Sequence, residues 1–327
     1  MTTFELLRVT ATPALLAWLL VGAVRRYAIR HQILDHPGPR ASHTQPTPRG
    51  GGLGLVAAVL LTLLTLPGTR SSVPLLVALA GVALTAFVGW LDDHRSRGVR
   101  TRLAAHLTAG AMLLPLALWP SPVPAWMGGV AGFWWVFWAV SSINVVNFMD
   151  GIDGLIGSQA LIFGVHLALI SQSGGAAAAI GLSLAGASAG FLLWNWPPAR
   201  IFLGDVGSGA LGLLFVLGGL LLIREGRASI VGAFLPLYPL FLDASTTLAR
   251  RLRSGERVTE AHRSHLYQRL ANGSLGHARV TLLYAAASLA ALPLVRLPPT
   301  SRTLGLAVYV LAILGLGWAL DRRAPAQ

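Results

Sequence analysis

The chain has 327 residues, of which 54% are hydrophobic and only 11% charged, and its mean hydropathy is +0.65. A soluble domain carries roughly 25% charged residues because its surface must be solvated, so this composition excludes an ordinary soluble protein. The absence of cysteine excludes disulfide and thiolate chemistry, and the formal net charge is +13. Nucleic acid is not an expected partner, because the arginines stand in short loops beside apolar runs and not on one basic face.

Apolar runs separated by polar or Pro/Gly-rich breaks follow one another along the chain. They lie near 4–24, 53–67, 74–91, 103–119, 125–143, 155–171, 176–194, 207–223, 229–247, 278–295 and 303–320. A membrane-spanning helix needs about 20 apolar residues, so the runs predict an all-α polytopic membrane protein with about eleven transmembrane helices, or about ten if a short run does not cross. We expect a single domain over 1–327. The first run looks like a retained span, because Arg25 and Arg26 follow it and no basic segment precedes it.

The charged residues favour one side of the membrane. If the N-terminus is outside, most of the 25 arginines fall in the inward segments 25–52, 92–102, 144–154, 195–206, 248–277 and the tail from 321. The positive-inside rule makes this side the cytoplasm. Most of the acidic residues lie in the same segments. The sequence therefore predicts an active site in the cytoplasmic loops.

Two adjacent carboxylates, Asp92 and Asp93, end the third run. They repel each other at a membrane boundary unless a cation compensates. Hard divalent cations take oxygen ligands and suit diphosphate substrates, so the pair indicates Mg²⁺, with Mn²⁺ as the alternative. A solvated helix end beside Arg95, Arg97 and Arg100 explains the pair equally well.

A denser polar cluster, NVVNFMDGIDGL, occupies 144–155 and contains Asn147, Asp150 and Asp153. Asn, Asp and Gly are ordinary turn residues. A simple turn needs one such cluster and not a repeated one, so the pattern favours a functional loop.

The loop at 195–208 reads NWPPARIFLGDVGS. Asp205 stands between two glycines just before an apolar run, where a carboxylate can reach a metal while the helix N-terminus faces an anion. The ring of Phe202 is suited to stacking on a base. Taken alone, Asp205 is more simply explained as a helix N-cap.

Two basic elements complete the set. Arg40 and His43 precede a glycine run at 50–54, which lacks the Lys-Ser/Thr of a nucleotide P-loop. The last inward loop carries His262, Arg263 and His265 among further arginines. A basic helix against anionic lipid headgroups is the alternative for this loop. A zinc pair is disfavoured, because no further ligands are positioned nearby.

Together these stretches closely resemble the polyprenyl-phosphate N-acetylhexosamine-1-phosphate transferases of glycosyltransferase family 4. That family includes the bacterial enzymes that start O-antigen, enterobacterial common antigen and teichoic-acid linkage synthesis, and the phospho-MurNAc-pentapeptide translocase. The resemblance covers nearly the whole chain in the same order. It comprises Asp35…Arg40…His43…Pro48…Gly51-Gly52, Asp92-Asp93, Asn144-x-x-Asn147-x-x-Asp150-Gly-x-Asp153-Gly, Asn195…Phe202-x-Gly204-Asp205, and the histidine motif at 261–269.

The resemblance implies the reaction and its setting. Undecaprenyl phosphate attacks the β-phosphorus of a UDP-N-acetylhexosamine with Mg²⁺, and UMP is released. It implies a multi-pass protein of the bacterial inner (cytoplasmic) membrane, among membrane lipids, that carries out the first membrane step of cell-envelope polysaccharide synthesis. A homodimer is compatible with it, and the identity of the N-acetylhexosamine stays open.

The resemblance also implies roles for individual residues. Asp205 and Asn147 approach the metal, while Asn195 and Phe202 hold the uridine. The acidic catalytic residues are Asp92, Asp93, Asp150 and Asp153. Arg102, His262, Arg263 and His265 are expected to face substrate phosphate, and Arg40 and His43 are expected to bind substrate. A phosphate monoester has a second pKa of about 6 and needs little general-base help, so Asp92 and Asp93 are expected to act chiefly on the metal and on orientation.

Some residues depart from the family pattern. Ala41-Ser42 stand where Arg-Lys is usual, His106 stands where Gln is common, and the last motif lacks the triple histidine of the pentapeptide translocase. This favours the O-antigen-type branch, with the translocase as the alternative. A lipid-phosphate transporter or flippase is the alternative from another class and predicts polar groups deep within the spans. Only His166 and Asp243 fit that reading; we expect His166 to pack and Asp243 to lie near the site.

Overall fold

The computed structural model describes residues 3–37, 45–95, 97–118, 127–171, 174–257 and 262–323. Helices dominate these residues, and the strands found among them, Leu34–Asp35 and Thr47–Pro48, form one short antiparallel pair. The predicted all-α class is confirmed.

The helices are numbered in chain order. They are α1 Thr3–Arg30, α2 Gly52–Leu64, α3 Pro67–Arg70, α4 Val73–His94, α5 Val99–Ala111, α6 Leu114–Leu118, α7 Gly128–Met149, α8 Leu155–Ile170, α9 Ala176–Asn195, α10 Asp205–Arg224, α11 Ile230–Phe234, α12 Tyr238–Arg253, α13 Leu266–Leu270, α14 Gly276–Ala291 and α15 Pro299–Arg323. A 3₁₀ turn joins α11 to α12 at Leu235–Leu237, a π turn joins α13 to α14 at Ala271–Leu275, and a second 3₁₀ turn follows α14 at Leu292–Arg296.

Within the described ranges, 9 helical segments are long and apolar enough to cross a membrane. The shorter apolar helices α2 and α8 occupy two further predicted runs, so every predicted run has a helical counterpart. The protein is a multi-pass membrane protein. Pro236 and Pro239 interrupt the run at 229–247, because proline has no N–H to donate to the preceding turn.

The centre of the bundle is α10, which is buried along almost its whole length. Small residues let neighbouring helices approach closely: a Cβ atom on Gly52 of α2 would lie 2.2 Å from Cα of Gly207. Two small residues spaced four apart also bring α9 close to α1: Gly186 and Gly190 lie against the carbonyl oxygens of Thr10 and Ala14. The peripheral α15 is by contrast mostly exposed.

The loops that carry the polar motifs meet at one end of the bundle. The C-terminal ends of α4, α7 and α9 and the N-terminal ends of α8 and α10 all lie there. Contacts between Asp93 and Asp205, Asn147 and Asp205, and Asn195 and Gly154 join these ends directly. This end of the bundle holds the candidate site.

Candidate active site

Asp93 fixes the start of α10. Its Oδ1 and Oδ2 atoms accept the backbone N–H groups of Asp205 at 3.1 Å and of Val206 at 3.2 Å, which are orphan donors at a helix N-terminus. The N-cap position is Gly204, with a φ of +78° that favours glycine. Asp205 is therefore not the cap; the capping carboxylate comes from α4, which leaves the Asp205 side chain for other contacts.

Asp205 lies at the meeting point of α4, α7 and α10. Its Oδ1 atom accepts Nδ2 of Asn147 at 2.7 Å, and the same amide donates to Oγ of Ser208 at 3.0 Å. The carboxyl groups of Asp205 and Asp92 contact each other. The structure thus brings together both residues predicted to approach a metal and one of the predicted catalytic pair.

The buried carboxylate of Asp92 connects this centre to basic groups. Its Oδ2 atom lies 3.2 Å from Nη1 of Arg102 on α5, and its Oδ1 atom accepts the backbone N–H of Arg97. Arg49, from the second strand's loop, approaches Asp93 instead, with Nε at 3.9 Å from Oδ1. Each member of the acidic pair therefore has its own arginine.

Asn195 and Asp153 join the loops on the other side of Asp205. The buried amide of Asn195 accepts the N–H of Gly154 at 3.0 Å and donates to the carbonyl oxygen of Ile201 at 3.0 Å. Asp153 accepts the N–H of Ala199 at 3.0 Å. Both side chains are thus occupied by the loop backbone, so they shape the site. The prediction that Asn195 also touches the nucleotide stays a prediction.

Asp150, the C-cap of α7, faces further acidic groups. Burial raises the pKa of its carboxyl well above the ordinary value, and the charges of Asp205, Asp93 and Asp153 raise it further. A cation bound beside these carboxyl groups would remove that repulsion.

Residues 262–265, called the histidine loop, face the acidic centre that is formed by Asp92 and Asp205. The rings of His262 and His265 are 4.8 Å apart, and the ring of His265 stacks on that of Phe148 of α7 at 6.5 Å. Burial lowers the pKa of both histidines to about 4, helped at His262 by the charge of His265 and at His265 by that of Arg250. Arg263 lies between them and is partly buried.

Two cavities adjoin at Asp205, which lines both. The larger, of about 530 Å³, is called the basic cavity. Its wall includes Asp92, Arg102, His106, Asn144, Asn147, His262, His265 and the apolar Val88, Val99, Leu103 and Phe148. The smaller, of about 230 Å³, is called the acidic cavity. Its wall includes Asp35, Arg49, Asp93, Asp150, Asp153, Asn195, Phe202, Gln268 and His277.

The donor set suits a divalent cation at the junction. Across the described ranges no three His, Cys, Asp or Glu side chains already form a metal shell. The contact between the carboxyl groups of Asp92 and Asp205 is nevertheless repulsive unless a proton or a cation lies between them. Mg²⁺ is usually held by one or two carboxylates and completes its shell with water and substrate phosphates.

Most of the residues singled out in the sequence line these two cavities. Arg40 and His43 lie outside the described residues. Sequence reasoning missed Arg49 and His277; His277 Nδ1 lies 3.3 Å from Asp153 Oδ2. No motif marked His277, because its partner is far away in the chain. The expectation that His166 packs is in line with its buried ring, whose Nε2 lies 3.0 Å from the carbonyl oxygen of Gly232.

The fold and the site define a class: multi-pass membrane proteins that collect carboxylates, arginines and histidines at one end of a helix bundle. Comparison with known proteins narrows it. Residues 75–223 match the family described as glycosyl transferase family 4. The decaprenyl-phosphate N-acetylglucosaminephosphotransferase of Mycolicibacterium smegmatis is 30% identical over 322 residues, covering 85% of this chain and 78% of that protein.

Two further relatives are similar over shorter or more distant matches. The phospho-N-acetylmuramoyl-pentapeptide-transferase of Synechococcus elongatus is 37% identical over 234 residues, covering 59% of this chain and 63% of the relative. The probable undecaprenyl-phosphate N-acetylglucosaminyl 1-phosphate transferase of Bacillus subtilis is 26% identical over 274 residues, covering 79% and 75%. The chain belongs to glycosyl transferase family 4.

Proposed function

We propose that the protein transfers an N-acetylhexosamine 1-phosphate from a UDP-sugar to polyprenyl phosphate and releases UMP. The observation that carries this is the pair of cavities that meet at Asp205. Two phosphorylated substrates must bring their reacting groups together, and adjoining chambers with one shared carboxylate suit that need. The names of the relatives from Mycolicibacterium smegmatis and Bacillus subtilis describe transferases of this kind.

We assign the basic cavity to the lipid phosphate. Val99, Leu103 and Phe148 line it and are also exposed on the outer surface of the bundle, which in a membrane faces lipid. An apolar tail can therefore lie along α5 and α7 while its phosphate reaches Arg102 and the histidines. Arginine suits this position, because its planar fork binds phosphate oxygens.

We assign the acidic cavity to the nucleotide. Phe202 lines it and offers a ring for stacking on uracil, and Arg49 offers a charge to the diphosphate. A cation held by Asp92, Asp205 and Asn147 would neutralise charge on the diphosphate and on the lipid phosphate where the cavities meet, and Mg²⁺ fits this donor set. Because one relative is a phospho-N-acetylmuramoyl-pentapeptide-transferase, a donor that carries a pentapeptide is the alternative to a simple UDP-N-acetylhexosamine.

The chemistry asks the protein mainly for alignment and charge neutralisation. An oxygen of the lipid phosphate attacks the β-phosphorus of the UDP-sugar; a new phosphoanhydride bond forms, the old one breaks, and UMP takes the electron pair. Asp93 holds α10 and so fixes Asp205, while Asn195 and Asp153 hold the loops around the nucleotide. The lipid phosphate is largely a dianion at neutral pH, so no residue has to remove a proton from it.

We further propose that the site faces the cytoplasm of a bacterial inner membrane. Basic residues concentrate in the segments at the site's end of the bundle, and such segments stay on the cytoplasmic side. Nucleotide sugars would then reach the acidic cavity directly from the cytosol.

The test is an assay of UMP release. Purified protein is incubated with undecaprenyl phosphate, Mg²⁺ and each of several donors: UDP-GlcNAc, UDP-GalNAc and UDP-MurNAc-pentapeptide. We expect UMP with at least one aminosugar donor, and none without the lipid or with Asp205→Ala. A preference for the pentapeptide donor would move the protein to the translocase branch, and no UMP with any donor would contradict the proposal and favour a transporter.

A further inference from the structure

A buried carboxylate outside the acidic centre, Asp243 of α12, lies behind the histidine loop. Only 5% of its surface is exposed, and it belongs to neither of the two site cavities. Its Oδ1 atom accepts the backbone N–H of Leu266 at 2.9 Å, and its Oδ2 atom accepts that of Tyr267 at 3.0 Å. Both donors are orphan N–H groups of the first turn of α13.

Two side chains complete the environment of Asp243. Its Oδ2 atom accepts the hydroxyl of Tyr284 on α14 at 2.7 Å, and its Oδ1 atom accepts that of Thr247 at 3.2 Å. A buried charge is expensive unless it is hydrogen-bonded, and four donors meet that requirement. Asp243 thus ties α12, α13 and α14 together at one point.

The histidine loop ends where Asp243 takes hold. His265 is the N-cap residue of α13, immediately before Leu266, and its Nδ1 atom lies 3.9 Å from Oδ1 of Asp243. On the other face, Tyr267 donates its hydroxyl to the carbonyl oxygen of Phe148 at 2.8 Å. Asp243 therefore fixes the C-terminal end of the histidine loop, and His262 and His265 extend from that end to the basic cavity.

A second tether of the same loop is more exposed. Arg250 donates to the carbonyl oxygen of Ser264, and Asp321 of α15 forms ion pairs both with Arg250, at 3.0 Å, and with Arg269 of α13. The side chains of Arg250 and Asp321 are 39% and 38% exposed, whereas that of Asp243 is 2% exposed. Partly exposed ion pairs contribute less than buried, fully hydrogen-bonded carboxylates, so Asp243 is the stronger anchor of this loop.

We infer that Asp243 is the positioning residue for His262 and His265: it holds the N-terminus of α13 so that both imidazoles face the bound phosphate across the basic cavity. The role of the imidazoles rests on the proposed function. The anchoring of the loop does not, and it is measurable without turnover.

The sharpest variant is Leu266→Pro. Proline removes the single N–H that Leu266 donates to Asp243, and it is favoured at the first position of a helix. His265 already has φ −63° and ψ 144°, the extended conformation that a following proline requires. Leu266→Ala is the matched control, because it shortens the side chain and keeps the N–H. Asp243→Asn is the companion variant, because the NH2 group of asparagine cannot accept a hydrogen bond and would face one of the N–H donors.

The activity-independent readout is carbethoxylation of histidines by diethylpyrocarbonate, followed at each site by mass spectrometry. His265 is buried and should react slowly in the wild type and several-fold faster in Leu266→Pro and Asp243→Asn. His36, which is exposed, and His166, which is buried far from the loop, serve as internal fast and slow standards. Unchanged reactivity of His265 in both variants, with folded protein shown by the slow reaction of His166, would overturn the inference.

The kinetic readout separates positioning from general destabilisation. In the UMP assay both variants should lower kcat by about 10- to 100-fold, because misplacing a group by about 1 Å has that effect, while KM for the UDP-sugar changes little. The matched control Leu266→Ala, which keeps the N–H, should stay within a few-fold of the wild type. If faster labelling leaves kcat unchanged, the histidines are not positioned for chemistry and the inference fails. If the wild type itself releases no UMP, the proposed function fails and the labelling arm still decides the anchoring.

Discussion

The carboxylate of Asp93 accepts the backbone N–H of Asp205 at 3.1 Å, across 112 residues of chain. An acidic residue at the end of one membrane helix thus decides where another begins and which way its first side chain points. Asp92, next to it in sequence, turns instead to Asp205 and Arg102. The two adjacent acids therefore have different roles: Asp93 positions the N-terminus of α10, and Asp92 belongs to the charged centre with Asp205 and Arg102.

Replacing Asp93 by Asn should destabilise the fold as well as the reaction. One of the N–H groups of Asp205 and Val206 would face the amide donor, and an unsatisfied buried group costs about 1–3 kcal/mol. A lower melting temperature, followed by the fluorescence of the chain's 10 tryptophans, checks this. Asp321→Asn removes a carboxylate that is 38% exposed and pairs with Arg250 and Arg269, and should cost about 1 kcal/mol or less; equal effects of the two variants would contradict the capping role.

Asp92→Asn and Asp205→Asn should act mainly on metal dependence, because removing either carboxylate also removes the repulsion between the two. Removing a carboxylate from the proposed cation site should lower UMP release by about 10²-fold or more and raise the Mg²⁺ concentration needed for half-maximal rate. Titration of Mg²⁺ at saturating substrates measures both. Near-normal turnover with an unchanged Mg²⁺ requirement would place the cation elsewhere.

The contact between α4 and α10 allows no side chain at Gly89. A Cβ atom there would lie 2.3 Å from the carbonyl oxygen of Asp205, so Gly89→Ala must push α10 away from α4. We expect a loss of about 1–3 kcal/mol of stability, the usual cost of overpacking, together with reduced activity. Gly129→Ala is the control: it lies in α7 with nothing within 4 Å of its added Cβ, and alanine there should be neutral or slightly stabilising.

The histidine loop should make stability depend on pH. The pKa of His262 and His265 is lowered to about 4 in the folded protein, below the ordinary 6.5. Between these values the unfolded chain binds protons that the folded chain does not, so stability rises with pH across the window and is lost as pH falls towards 4.

The double variant His262→Gln/His265→Gln isolates this contribution. Its melting temperature should change less between pH 6.5 and pH 4 than that of the wild type. The raised pKa of Asp150 acts in the opposite direction, but it is present in both proteins and cancels in the difference. Parallel curves for the wild type and the double variant would show that the loop does not hold its histidines neutral.

The spans and the polar end of the bundle follow from the sequence because hydropathy is local. A run such as 207–223 predicts α10 from its own residues. The loops at 92–93, 144–155 and 195–208 are recognisable because polar residues interrupt the apolar runs there. The resemblance to a family then supplied roles. Breaks inside runs, as at Pro236, shifted helix boundaries without changing the order of elements.

The division of labour within the site was beyond the sequence, because it depends on partners far away in the chain. Asn195 reads as a nucleotide ligand in its motif, yet its amide bridges Gly154 and Ile201. In the sequence, Asp243 is a single charged residue in an apolar run. Its role as an anchor of α13 is visible only from the N–H groups of Leu266 and Tyr267 that it accepts. Only three-dimensional neighbours separate residues that hold the site from residues that face the substrates.

The shared wall at Asp205 has a consequence for inhibitor chemistry. The two cavities share Asp205 as part of their walls, so ligands bound in both would approach each other there. A bisubstrate compound that joins a uridine unit to a short lipid-like arm through an uncharged linker would make the second binding event intramolecular, and its affinity would exceed that of either half through effective concentration. Its linker length would in turn serve as a ruler for the distance between the two reacting phosphates.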